Sequence, residues 1–167
     1  WGSEARVGLG GLGGPGMMKI LDLSAGNRAI WFDKKYRDAV FVDIRPEVKP
    51  TIVADSRSLP FKDEPDYDLV VFDPPHVNFS AGAKMGQDYS HHTTAEIREI
   101  IRLTGQEAYR VTKPDACMAL KWNDHDQKLA TVLALLPNWE PLVGHKVAMR
   151  TKHASATTWV LLRRRMA

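Results

Sequence analysis

Four short apolar runs in this 167-residue chain each end in an aspartate: "KILD" at Asp22, "AVFVD" at Asp43, "TIVAD" at Asp55 and "YDLVVFD" at Asp73. One aspartate closing a strand is commonly only a turn former. Four at successive strand ends point instead to a shared ligand, because nucleotide-like molecules bind outside the carboxyl ends of parallel strands. Each position offers different chemistry. After Asp22 comes a turn of small residues, Ser24-Ala25-Gly26, and Gly26 lets backbone amides approach a ligand closely. Asp43 is placed to accept hydrogen bonds from both hydroxyls of a ribose. Asp55 suits the exocyclic amine of an adenine ring. The fourth run stops in Asp73-Pro74-Pro75-His76. Consecutive prolines keep backbone extended and withdraw one donor each, which leaves carbonyls free to accept.

The elements that must position these residues follow from the pattern. Strands are expected at 19–23, 39–44, 51–55 and 67–73. Residues 94–112 place Ile97, Ile100, Ile101, Leu103 and Ala108 on or near one helical face. Lys113-Pro114-Asp115 is expected to stop that helix before a strand at 117–122, and a second helix falls near 125–136. Two late runs, 141–149 and 156–164, read as an antiparallel hairpin at one edge. Strands alternating with helices predict an α/β fold with a mostly parallel sheet. The helix set is reduced, since residues 44–50 are too few for a crossover helix and 27–38 are also short. One sheet face is therefore expected to be thinly covered, and a homodimer would cover it.

Composition sets the outer limits. One domain with a single core fits 167 residues of which 44% are hydrophobic. A net charge of +3 and a pI near 9.0 are compatible with a polyanionic partner without requiring one. A single cysteine, Cys117, excludes an internal disulfide framework and argues against a cysteine metal cluster; no metal is expected. No apolar run reaches membrane-spanning length and no secretory signal is visible, so the cytoplasm is the default compartment. Seven of the twelve glycines lie in residues 1–16. Residues 1–17 read as a flexible tail or expression remnant, and 18–167 as the domain. Within that tail, Gly8-Leu9-Gly10-Gly11-Leu12-Gly13 fits a dinucleotide-loop pattern, but it lacks the flanking strand and helix that give the pattern meaning.

The order "LDLSAG … VDI … AD … FDPPH" resembles the class I S-adenosylmethionine-dependent methyltransferases, over essentially residues 18–163. The Asp-Pro-Pro-aromatic signature resembles their amino-methylating (DPPY-type) branch. "GNRAIWFDKKYRDAVFVDIRPE", "LKWND", "GHK" and "TTW" resemble a group of compact phage-type DNA methyltransferases. The resemblance implies a Rossmann-like sheet and S-adenosylmethionine as cofactor. It implies that Asp22, Ser24, Ala25 and Gly26 form the methionine and ribose side of the pocket. Asp43 would hold the ribose, and Asp55, with Ser56 or Arg57 close by, would meet the adenine amine. Asp73 and the Pro74 carbonyl would hold the amine to be methylated, with Pro75 and His76 completing the motif. Two positions depart from the family: its second turn glycine is replaced in Gly26-Asn27-Arg28, and His76 stands where an aromatic ring usually stacks on the base.

Substrate contacts are expected around this centre. The loop 77–93 offers Phe79, Tyr89, His91 and His92. Lys121 and Trp122 close the fifth strand; Trp122 reads equally well as a core-edge aromatic. His145 and Lys146 could contact phosphates, as could Arg163, Arg164 and Arg165, for which a solvated chain end is the alternative. DNA, at N6 of adenine, is the first expectation for substrate, and RNA or a nucleoside is the second. A cofactor-binding or cofactor-cleaving module without methyl transfer is the rival from another class.

Overall fold

A computed structural model of the chain describes residues 17–76, 92–146 and 156–166. Among the described residues, seven strands form one sheet: β1 (Ile20–Asp22), β2 (Ala39–Asp43), β3 (Ile52–Val53), β4 (Tyr67–Phe72), β5 (Thr112–Asn123), β6 (Trp139–Lys146) and β7 (Thr157–Arg164). Their order is β3-β2-β1-β4-β5-β7-β6. The five strands from β3 to β5 pair in parallel, and β7 runs antiparallel between β5 and β6. The expected C-terminal hairpin is present. The chain moves outward from β1 to β3 and then returns to place β4 on the other side of β1. That reversal puts Asp22 and Asp73 at neighbouring carboxyl ends, where such sheets bind ligands.

Two helices lie in the described residues, α1 (Thr94–Val111) and α2 (Leu129–Ala134). A capping box starts α1: the Thr93 hydroxyl accepts from the Glu96 amide at 3.2 Å, and the Glu96 carboxylate accepts from the Thr93 amide at 2.6 Å. The helix passes directly into β5 at Thr112, five residues earlier than the sequence predicts. Between the pairs Tyr67–Thr112 and Leu69–Cys117, β4 advances two residues and β5 five. Pro114 and Asp115 are exposed in this irregularity, where a proline without an N–H breaks no ladder bond. The helix α2 is shorter than 125–136 because Asp124 holds the preceding turn, accepting from the Leu129 amide at 2.9 Å.

The two sheet faces differ. Even-numbered β5 residues from Met118 to Trp122 are buried, and odd ones from Cys117 to Asn123 are half-buried, the alternation of a strand with one packed face. The packed face carries α1 and α2 and buries Leu21, Val42, Phe72, Met118 and Leu120 against Ile97, Ile101 and Leu136. The opposite face holds a smaller cluster, Ile20, Ala25, Ala39, Phe41 and Val71, with Ile30, Trp31 and Leu69 packed on it. Among the described residues, no helix joins β1 to β2, and a single 3₁₀ turn (Pro46–Val48) lies between β2 and β3. The expected thin cover is thus supplied by the β1–β2 connection itself, through Ile30 and Trp31.

Candidate active site

The site lies on the thinly covered face. Sheet register aligns a row across it: Phe41, Asp22, Val71, Ala119 and Leu161. One step further toward the strand ends, the next row begins with Asp43 and Asp73 and continues through Lys121, Trp159 and His145.

Asp22 is 1% exposed, and its carboxylate accepts from the Trp31 indole N–H at 2.7 Å and the Ser24 amide at 3.2 Å. Burial pushes its carboxyl up to about 6, against the Trp31 and Ser24 bonds and with help from the nearby Asp73 and Asp43 charges. Asp22 is thus turned inward. It fixes the β1–β2 connection rather than presenting a free acceptor. Ser24 links the two central strands, its hydroxyl accepting from the Asp73 amide at 2.7 Å. Ala25 is buried in the small cluster and ties the turn to β2, donating to the Val42 carbonyl at 3.0 Å. Gly26 has φ +48, the left-handed region that glycine enters at no steric cost. Arg28 (φ 53), in the Gly26-Asn27-Arg28 stretch that lacks the family's second glycine, shares that region.

The two outer acids are both occupied by arginines two residues further on. Asp43, 7% exposed, accepts from the Gly26 amide at 2.8 Å, the Arg45 amide at 2.9 Å and the Arg45 guanidinium at 3.1 and 3.3 Å. Burial opposes ionisation there, but the Arg45 and Gly26 bonds outweigh it and hold the carboxyl below its ordinary range. Asp55 forms a fork with Arg57, whose Nε donates at 3.0 and 2.9 Å, and that bond is the main reason its carboxyl is also held low. Ser56 is directed elsewhere, its hydroxyl 2.9 Å from that of Thr104 on α1.

At the end of β4, Lys121 Nζ donates to one carboxylate oxygen of Asp73 at 2.6 Å. His76 Nδ1 lies 3.3 Å from the Pro74 carbonyl oxygen, and its ring meets Trp122 edge-on at 6.1 Å. Asp73, Pro75 and His76 are half-buried and Pro74 is buried.

The comparisons with known proteins bear on this geometry. No family model matches the chain, and no curated protein matches it. Solved structures do. The N-methyltransferase NodS from Bradyrhizobium japonicum, in complex with S-adenosyl-L-homocysteine, superposes with a TM-score of 0.63 at 10% identity, over 89% of this chain and 79% of that one. A SAM-dependent methyltransferase from Methanosarcina mazei gives 0.57 at 13% identity, over 89% and 93%. The chain has the Rossmann-like methyltransferase fold. A methyltransferase fold does not by itself fix the reaction, since the cyclase SpnF matches with a TM-score of 0.62 at 12% identity, over 90% and 75%.

Within this methyltransferase fold, Asp22, Ser24, Gly26, Asp43, Asp73, Pro74, His76 and Lys121 come together at the strand ends. Others do not. Trp122 is wholly buried on the packed face, with its indole N–H donating to the Gln127 carbonyl at 2.9 Å. It supports His76 and has no surface left for a substrate. His145 and Lys146 point to opposite faces, as adjacent strand residues must. His145 pairs with Trp159 in the site row, about 10 Å from Lys121 at two strand spacings. Lys146 lines a groove of about 430 Å³ on the α2 side, with Leu129, Leu133 and Val160. Arg163 pairs with Glu140 at 2.7 Å, and Arg164 lies over the Tyr109 ring at 3.9 Å, so both expected phosphate contacts are engaged. Phe79, Tyr89 and His91 lie outside the described residues, and His92 is half-buried just ahead of α1. Two site residues escape the sequence reading, Trp31 and Arg45. The repeated Asp-x-Arg at 43–45 and 55–57 is the signal that would have found Arg45; nothing comparable marks Trp31.

Proposed function

We propose that the chain is an S-adenosylmethionine-dependent N-methyltransferase acting on an exocyclic amine of a nucleic-acid base, with N6 of adenine in DNA as the first candidate. The observation that carries this reading is Asp73-Pro74-Pro75 at the end of β4, beside β1, in a sheet with methyltransferase strand order. The donor set fits the cofactor: Gly26 gives close backbone approach, and Asp43 is an acceptor whose guanidinium partner can rotate away while its bond from the Gly26 amide stays. When bound, S-adenosylmethionine supplies an electrophilic methyl group. Asp43 would hold the ribose hydroxyls and Asp55 the adenine amine, each exchanging its arginine for the ligand.

An exocyclic amine is a weak nucleophile because its lone pair is delocalised into the ring. Two acceptors aimed at its hydrogens favour a pyramidal nitrogen with the lone pair directed outward. Asp73 and the Pro74 carbonyl provide them. Lys121 occupies one Asp73 oxygen and leaves the other for the amine, fixing the carboxylate's rotation. A carbonyl oxygen has two lone pairs, so Pro74 can serve His76 and the substrate together. Acceleration then comes from orientation and electrostatics. A base in a duplex must first leave the stack.

The rival reading, a cofactor-binding module that transfers no methyl group, is favoured by the arginines on Asp43 and Asp55. Transfer of tritium from labelled S-adenosylmethionine into DNA, RNA and protein pools separates the two. Cofactor binding with no transfer to any pool would sink the proposal. Asp73→Ala should abolish transfer and leave cofactor binding largely intact; loss of both would mean that Asp73 belongs to the cofactor pocket.

A further inference from the structure

The β1–β2 connection carries side chains that neither packing nor the proposed chemistry uses. Its frame is fixed without a helix. Trp31 donates to Asp22 and packs its ring edge-on against Phe41 at 5.0 Å and at a tilt against Tyr36 at 5.9 Å. Arg28 donates to the Lys34 carbonyl at 2.6 Å and the Lys49 carbonyl at 2.8 Å, with its guanidinium 4.0 Å over the Phe41 ring. Turn bonds from Trp31 to Arg28 and from Tyr36 to Asp33 complete the hold. On this frame Phe32 is fully exposed, an unfavourable placement for an aromatic ring with no partner among the described residues, and Tyr36, tilted against Trp31, keeps 41% of its surface exposed. Lys34, Lys35 and Arg37 are exposed between and beside them, and among the described residues none of the three pairs with a carboxylate.

We propose that Phe32–Arg37 is a contact surface for single-stranded nucleic acid, with Phe32 and Tyr36 as stacking platforms and Lys34, Lys35 and Arg37 as phosphate contacts. Interleaved aromatic and cationic side chains match a strand whose bases are unstacked and whose backbone carries one negative charge per residue. A duplex keeps its base faces covered and gives the rings nothing to stack on. The local charge favours the same partner: residues 32–37 hold three cations against one carboxylate, Asp33. The location does too, because Phe32 follows directly on Trp31, which is bonded to Asp22 at the candidate site. This inference deepens the proposed function by naming the form in which the base arrives, and it is testable without methyl transfer.

The test is fluorescence anisotropy of the full chain with labelled oligo(dT) and with a duplex of equal length, over a series of salt concentrations and without cofactor. Phe32→Ala and Tyr36→Ala should each weaken single-strand binding by about fivefold or more. Phe32→Trp should retain it. Lys34→Gln, Lys35→Gln and Arg37→Gln together should make the log–log salt slope shallower by about 2, at roughly 0.7 per phosphate contact on single strands. Unchanged affinity and slope in these variants, or tighter binding of duplex, overturns the proposal. So does a dimer in sedimentation that Phe32→Ala dissociates, since a second copy would then be what covers the ring. If the variants lose oligonucleotide binding and the wild-type chain methylates nothing, this surface stands and the proposed function falls. If the variants bind oligonucleotide and methylate DNA as the wild-type chain does, the proposed function stands and this surface falls.

Discussion

Asp22 allows a prediction with a definite sign. Its carboxyl is raised from 3.8 to about 6 because it is buried beneath Trp31. A carboxyl with a raised folded value binds its proton more tightly in the native state than in the unfolded chain. Below 3.8 both states are protonated and no penalty exists; between 3.8 and about 6 the unfolded chain ionises first, and stability falls. At 1.36 kcal/mol per pH unit, the loss accumulates to about 3 kcal/mol by pH 7. Asp43, Asp55 and Asp68 are held low and act in the opposite sense, losing stability in acid, so the wild-type curve alone mixes the two trends. Asp22→Asn isolates the effect. The amide oxygen can still accept from Trp31, and the lost Ser24 bond adds a constant offset of about 1 kcal/mol. Urea unfolding followed by tryptophan fluorescence, at intervals from pH 4 to pH 8, gives the difference between wild type and variant. The variant should gain about 3 kcal/mol on wild type across that range, a relative midpoint shift of about 1–2 M urea at m-values typical of small domains. A difference that stays flat with pH would refute the reasoning, because it would mean that Asp22 ionises as though exposed.

Three further outcomes are expected. Arg45→Gln frees the Asp43 carboxylate, so calorimetry should find tighter S-adenosylmethionine binding while thermal stability drops by about 1–3 kcal/mol, the cost of leaving a buried acceptor short of donors; both quantities moving the same way would count against Asp43 as the ribose acceptor. Lys121→Met removes the ion pair that fixes Asp73 and should lower kcat about tenfold with cofactor affinity unchanged. Gly105→Ala drives a Cβ into Leu136 Cδ2, an overpacking cost of about 1–3 kcal/mol against about 1 kcal/mol gained in helix propensity. The net effect is a lower melting temperature, partly restored by Leu136→Val, and an unchanged melting temperature would mean that Leu136 has room to move.

What the sequence made legible was whatever short-range pattern encodes. Period-2 and period-3.6 apolar spacing located the strands and α1, and aspartates at strand ends marked one edge of the sheet. The missing crossover helices were visible as connections too short to hold them. Contacts decided by distant packing were not legible. Trp122 falls on the packed face because β5 places even-numbered positions there, and sequence cannot say which parity faces the helices. His145 and Lys146 were read together, although adjacent strand positions must point apart. Trp31 sits in a segment without periodicity, and its partner, Asp22, is nine residues away across a turn.

The contrast between the two faces explains why the site is where it is. The helix-covered face buries most of the large apolar side chains, among them Trp122, Trp139, Phe72, Ile97 and Met118. At about 25 cal/mol per Å² that face supplies most of the hydrophobic stabilisation. The other face instead carries buried or half-buried acids at 22, 43 and 73, each held by a named donor: Trp31, Arg45 and Lys121. Such groups cost stability unless paired, and the Arg45 and Lys121 donors are ones that a ligand hydroxyl or amine could replace or work beside. A connection of turns, pinned through Trp31, leaves the strand ends more open than a packed helix would and still shields Asp22 from water. Substitutions on the helix-covered face should therefore appear first in unfolding curves. Those on the site face, Asp22 excepted, should appear first in binding and rate.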